Sequence, residues 1–214
     1  MQVSVNVLRR SRVPRGSASY WRRFGLPLLL VLLALAALVD SMQAQDMEAP
    51  VDIQVSLLYK ILTFDRNLGA RALGDDIVIA IVYQTGYRPS MVARDQVQDA
   101  LKKLKDSTIS GHPMHWVAVE LTTPEALGPA LAHNRVDVIY VAPLRGVDLG
   151  SIIAAARATL LTTFTGVPRY VERGLAVGVG IANERPQIIV NLTAARAEGS
   201  DFTSQLLRVS KVIE

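Results

Sequence analysis

Cysteine is absent from all 214 residues. That excludes thiol nucleophiles, disulfide staples and redox sensing through thiol oxidation. Histidine is scarce, with only His112, His115 and His133. His112 and His115 could in principle share a zinc ion, but a spacing of three on a strand sends the two rings to opposite faces. A zinc site also wants three or four protein ligands, so no metal is expected here and no cofactor. No G-x-S-x-G nucleophile elbow occurs, and no local spacing nominates a Ser, His and Asp set. The sequence therefore reads as non-enzymatic, an exported hydrolase that assembles Ser, His and Asp from distant positions being the third alternative. Beyond residue 44 there is no internal repeat and no low-complexity run.

Charge of one sign is also missing from most of the chain. The formal net charge is +4, but six of the 23 basic residues (Arg9, Arg10, Arg12, Arg15, Arg22, Arg23) fall in the first 23 positions. Asp40 is the one acid ahead of Ala44, which leaves 17 basic against 18 acidic residues in the remainder. A nucleic-acid binder needs a basic face in its folded part, and this balance supplies none.

A long hydrophobic run is lacking too. Leu26–Val39 is apolar over 14 residues, short of the ~20 that a spanning helix wants. Preceded by the arginines and followed by Ser41–Gln45, it has the three regions of an export signal. Residues 1–44 read as a signal peptide cleaved after Ala44, an uncleaved anchor being the alternative, and Arg22-Arg23 loosely fits a twin-arginine route. Residues 45–214 are enough for one ordinary core in a single domain. The only membrane contact expected is through this signal.

What is present is a regular alternation. Val51–Leu68 carries Val51, Val55, Leu58 and Leu62 at helical spacing. Ile77–Tyr83, IVIAIVY, is the continuous β-branched run of a strand covered on both faces. Ser90–Asp106 is a second helix, Trp116–Leu121 a strand, Thr123–Asn134 a helix that opens on Pro124, Val136–Ala142 a strand and Leu149–Ala158 a helix. Thr159–Thr165 reads as strand, Val167–Arg173 as a helical turn, and Leu175–Ala182 with Gln187–Leu192 as a hairpin. The last segment reads as helix up to Ile213. The fold expected is a three-layer α/β sandwich with a mixed, largely parallel sheet of five to six strands and an antiparallel edge hairpin.

Several residues invite functional readings. Gly174, Gly178 and Gly180 suggest a phosphate loop, but they lie inside an apolar strand rather than between strand and helix, so close packing explains them better. Asn191 interrupts an apolar strand at its exit. There it can satisfy backbone groups in the turn to the next helix, or face a ligand. Arg196 is expected to pair with Glu198 or Asp201.

The stretch Arg185–Ile213 carries Asn191, Leu192, Ala195, Arg196, Gly199, Ser204, Leu206 and Leu207 in the order I-N-L, A-A-R-A-x-G, x-S-x-L-L. It resembles the C-terminal motif of the YfiR-like (YfiR/HmsC) family, and the first helix, through Tyr59 and Phe64, is similar to that family's N-terminal helix. The resemblance implies a non-enzymatic periplasmic regulator that holds the periplasmic sensor region of an inner-membrane signalling protein, such as a diguanylate cyclase, in check. Through that partner it would control cyclic di-GMP signalling and biofilm formation. Members of the family that sense redox state do so through cysteines, a route closed to this chain. The helix end Tyr59, Lys60, Phe64, Asp65 and Arg66 is the first surface to consider for a partner or ligand. Asn191, Arg196, Gly199, Ser204, Leu206 and Leu207 are expected to be structural. A one-domain periplasmic small-ligand-binding protein is the alternative, and a homodimer is left open.

Overall fold

The computed structural model describes residues 47–146 and 149–214, so the expected signal segment lies outside the described residues. Eight strands form one sheet in the order β2-β3-β1-β4-β5-β6-β7-β8. They are β1 (Ile77–Tyr83), β2 (Thr108–Ile109), β3 (His112–Glu120), β4 (Val138–Val141), β5 (Thr162–Thr165), β6 (Val177–Ala182), β7 (Arg185–Asn191) and β8 (Lys211–Ile213). The helices are α1 (Val51–Thr63), α2 (Leu68–Arg71), α3 (Arg88–Lys102), α4 (Pro124–His133), α5 (Leu149–Thr159), α6 (Pro168–Glu172), α7 (Leu192–Ala197) and α8 (Ser204–Val209).

Strands β3, β1, β4, β5 and β6 run parallel, while β2 pairs antiparallel with β3 and β7 antiparallel with β6. The central strands β4 and β5 are buried at every residue. This follows from their Val/Ile/Thr-rich composition, because a parallel strand must present apolar side chains to layers on both sides. Residue alternation divides the core. Ile77, Ile79 and Ile81 join Leu58 and Leu62 of α1, Val97 and Leu101 of α3, Ala194 of α7 and Leu206 of α8. Ala80 and Val82 join Leu127 and Leu131 of α4, Ile152 of α5 and Tyr170 of α6 on the other face. Each Leu or Ile taken fully out of water contributes ~1.5–3 kcal/mol, so the two layers together outweigh any single polar contact described below.

The α/β class and the mixed sheet agree with the sequence reading, whereas the strand count of five to six does not. Two short edge strands account for the difference. Thr108–Ile109 is too short to show a period. Lys211–Ile213 was expected as the end of a helix, but Ser210 is extended at φ −102°, ψ 152°, and the chain returns to pair parallel with β7. The β6–β7 hairpin is consequently not at the sheet edge, since β8 flanks it.

Other boundaries shift for local reasons. The first helix stops at Thr63 because Asp65 forms an antiparallel bridge with Phe202. β3 starts at His112, so the GHPMH stretch is strand. Its His112 Nδ1 lies 3.0 Å from the Asp75 carbonyl, while His115 is exposed and stacks on Trp116. β5 is shorter than expected because α5 runs to Thr159 and Leu160 turns through a positive φ of 55°. In β6, a Cβ on Gly178 would approach Val171 Cγ2 to 2.5 Å, so the strand glycine lets α6 lie directly on the sheet.

Candidate functional site

Two segments that are more than 130 residues apart in sequence meet at the amino ends of the central strands. One is the turn from α1 into α2, and the other is the loop from α7 into α8. Their backbones are joined by hydrogen bonds from Arg66 N to the Asp201 carbonyl and from Thr203 N to the Phe64 carbonyl, each 3.0 Å. Asn67 Nδ2 donates to the Gly199 carbonyl at 3.1 Å.

Asp65 lies at the centre of this junction with its side chain wholly buried. Its Oδ1 accepts from Asn67 N and Asp201 N at 3.0 Å each, and its Oδ2 accepts from Arg71 Nη2 at 2.8 Å. Arg71 also donates to Thr162 Oγ1 at 3.0 Å, Ser200 Oγ at 3.4 Å, the Glu198 carbonyl at 3.0 Å and the Leu160 carbonyl. A buried carboxylate is tolerated because its charge is paired and both oxygens accept donors.

Glu198, at the unspecified position before Gly199 in the motif, is buried one step further in. Its Oε2 accepts from Thr163 N at 2.7 Å and its Oε1 accepts from Thr163 Oγ1 at 2.9 Å, while that hydroxyl accepts from Ala176 N at 2.7 Å. Burial pushes the carboxyl up to about 8. The Thr163 donors and the positive charges of Arg157 and Arg71 oppose that rise without cancelling it. Gly199 follows at a φ of +79°, where an added Cβ would stand 3.3 Å from Arg71 Cδ and from Leu160 Cβ. Only glycine adopts that turn without strain.

Beside the junction is a pocket of about 230 Å³ lined by Leu68, Arg71, Leu73, Asp137, Leu160 and Thr159, with Leu161. Leu73 and Leu160 are roughly half exposed at its rim. The buried Arg71 Nε has no hydrogen-bond partner there. Asp137 is committed to structure, accepting from Leu73 N at 3.0 Å and Val78 N at 2.9 Å, and burial raises its pKa.

The sequence-nominated residues separate accordingly. Lys60 and Arg66 are exposed, and Arg66 pairs with Asp201 at 2.8 Å. Tyr59 is half-buried with its hydroxyl donating to the Thr108 carbonyl at 3.2 Å, and Phe64 packs partly buried against the core. Asp65 does not belong to that surface, because it faces inward. Asn191 is the N-cap of α7, accepting from Ala194 N at 2.9 Å, and its Nδ2 donates to the Val171 carbonyl at 3.1 Å. Ser204 is exposed at the start of α8, Leu206 is buried and Leu207 is partly buried.

The expected pairing of Arg196 is corrected. Arg196 is exposed and makes no ion pair among the described residues, because Ala194 and Ala195 turn the other side of α7 to the core. Glu198 is taken by Thr163 and Asp201 by Arg66. The cation that serves the motif is Arg71, which sequence reasoning missed. It stands alone in an unremarkable ARA stretch, and only the fold brings it to its acceptors. Among the described residues no group of three or more His, Asp or Glu is placed to hold a metal ion. No described helix is long and apolar enough to cross a membrane.

Comparison with known proteins bears on this geometry. The family model described as YfiR/HmsC-like matches residues 52–211, which span both halves of the junction. A comparison with curated proteins gave no match. Among solved structures, the chain is similar to a conserved domain protein from Vibrio cholerae O1 biovar El Tor at 16% identity. That match has a TM-score of 0.54 and covers 80% of this chain and 66% of that one. It is also similar to an ABC domain from Streptococcus pneumoniae solved in complex with L-Trp, at 14% identity and a TM-score of 0.51, over 77% and 60%. The chain thus spans less than two thirds of the length of each of these two structures, and at these identities the likeness is one of fold.

Proposed function

The chain belongs to the YfiR/HmsC-like family, and from that premise we propose that it is a regulatory binding protein of the periplasm, acting by protein-protein contact and not by catalysis. Its partner in this reading is the periplasmic sensor region of an inner-membrane signalling protein such as a diguanylate cyclase, and its output is cyclic di-GMP level and biofilm formation. The observation that carries the proposal is the family match, which spans nearly the whole described unit. Export by residues 1–44 and a single domain over 45–214 are part of the same reading.

The contact surface we assign is the end of α1 and the turn that follows it, Tyr59, Lys60, Phe64 and Arg66. Two cations beside two partly buried aromatic rings are the ingredients of an interface anchor with a polar rim. The junction beneath holds this surface in place through Arg66–Asp201 and Asp65. Deleting the gene should raise cyclic di-GMP and surface attachment, and complementation with a K60E/R66E chain should fail to restore them. Unchanged cyclic di-GMP in the deletion strain across growth conditions would sink the proposal.

A second reading, a periplasmic small-ligand-binding protein, is favoured by the pocket beside Arg71 with its apolar rim and unpaired Nε. A small-molecule thermal-shift screen separates the two, because a ligand that binds only the native state raises its melting temperature.

A further inference from the structure

The opposite end of the sheet carries a second cleft that neither the terminal motifs nor the proposed contact surface uses. Strand β1 is followed by α3, which packs on one face, whereas its neighbour β4 is followed by α5, which packs on the other. The sequence of crossovers reverses here, since β1 leads to β3 on one side and β4 leads to β5 on the other. Two adjacent parallel strands whose following loops depart to opposite faces leave a crevice at their carboxyl ends, and open α/β sheets bind ligands at such points.

The crevice is present, with a volume of about 400 Å³ lined by Gln84, Thr85, Tyr87, Glu120, Thr122 and Arg145, together with Gly86 and Leu121. That is within the range of small-molecule sites. It is also braced. Arg145 N donates to Gln84 Oε1 at 2.7 Å and Gln84 Nε2 donates to the Arg145 carbonyl at 3.2 Å, tying the two loops together across the switch. Behind them the buried Tyr170 hydroxyl accepts from Leu144 N at 2.9 Å and donates to the Leu144 carbonyl at 3.2 Å. Gln84, Leu144 and Arg145 are therefore held in place before any ligand arrives, which lowers the ordering cost of binding.

Two opposite charges line this braced space and neither is used. Arg145 and Glu120 are both exposed, and neither forms an ion pair with the other or with any other described residue. The amino end of the 15-residue α3 adjoins them at Tyr87, and its dipole adds to the attraction of Arg145 for an anion. The hydroxyls of Thr85, Thr122 and Tyr87 supply neutral hydrogen-bonding groups between the charges.

The geometry points to this crevice as a binding site for a small zwitterion, whose carboxylate or phosphate is held by Arg145 and whose ammonium group is held by Glu120. Gln84 is a positioning residue that holds the Arg145 backbone. The site is independent of the α1 contact surface and of the Arg71 pocket.

The test is amide chemical-shift mapping of the ¹⁵N-labelled protein with 4-aminobutyrate, O-phosphoethanolamine, acetate and inorganic phosphate, each titrated to about 10 mM, a range suited to millimolar affinities. The zwitterions should shift the amides of Thr85, Gly86, Tyr87, Thr122 and Arg145. R145A should weaken every anionic probe at least tenfold, whereas E120Q should weaken the two zwitterions and leave acetate and phosphate as they were. The carboxylate and phosphate arms tell the two anionic heads apart. Both substitutions are at exposed side chains, and an unchanged melting temperature shows that the fold is kept. Shifts that gather around Arg71 and Leu160, no shift with any probe, or equal binding by R145A would overturn the assignment.

Discussion

Glu198 makes stability depend on pH in a direction opposite to that of most carboxylates. Its carboxyl is pushed up from 4.5 to about 8 in the fold by burial, while in the unfolded chain it titrates near its ordinary value. Below about pH 4.5 both states are protonated and the group has no effect. Between that value and about 8 the folded state holds a proton that the unfolded state has released, so stability falls as pH rises. Each unit of difference is worth about 1.4 kcal/mol, which puts the full loss across the window at about 3–5 kcal/mol. E198Q carries a permanently neutral amide of the same shape. It should match the wild type near pH 5 and exceed it by several kcal/mol near pH 8.5. Urea unfolding at half-unit steps from pH 5 to 8.5 reads this directly. If the difference between wild type and E198Q stays constant over that range, the carboxyl titrates normally and the account of its burial is wrong.

Three further outcomes follow from the packing. D65A should cost about 3–5 kcal/mol in urea unfolding, since it strands Arg71 without its buried partner; a cost under 1 kcal/mol would mean that the junction is not held by that pair. N191A removes the cap of α7 and should cost about 1 kcal/mol, read as a lower melting temperature, with N191D recovering only part of the loss, since it keeps the acceptor for Ala194 N but loses the donor to the Val171 carbonyl. G166A should destabilise by about 1–3 kcal/mol by overpacking, because its new Cβ would run into the amide of buried Gln54, which accepts from Tyr140 Oη at 2.6 Å. Recovery of stability in G166A/Q54A would support this origin, and a neutral G166A would refute it.

How much was legible depended on whether a signal was local. β1, β4 and the β6–β7 hairpin announce themselves as β-branched runs, and α1 and α3 as apolar stripes, because their periods are written into consecutive residues. β8 reads as helix from sequence because Val209 and Ile213 continue a helical spacing, while the deciding interaction is pairing with β7, which no local pattern records. Arg196 lacks its expected partners for a similar reason. It is the nearest cation to Glu198 and Asp201 along the chain, but it points outward from α7, and Arg71 and Arg66 reach those segments through space. Asp65 looked like part of an exposed helix end until the bridge to Phe202 showed that the helix stops before it.

By itself, the sequence determined the α/β alternation, the absence of thiol chemistry, the charge balance beyond residue 44 and the family resemblance at the two ends. These follow from composition and short-range order. Only the tertiary structure decided that those two ends meet in one buried polar junction around Asp65 and Arg71. It alone set Gln84 against Arg145, 61 residues apart, to brace a crevice at the point where the crossovers reverse. Both outcomes depend on which strands become neighbours, and that choice is made by packing of the whole sheet, since residues far apart in sequence contribute no local signal to their own pairing.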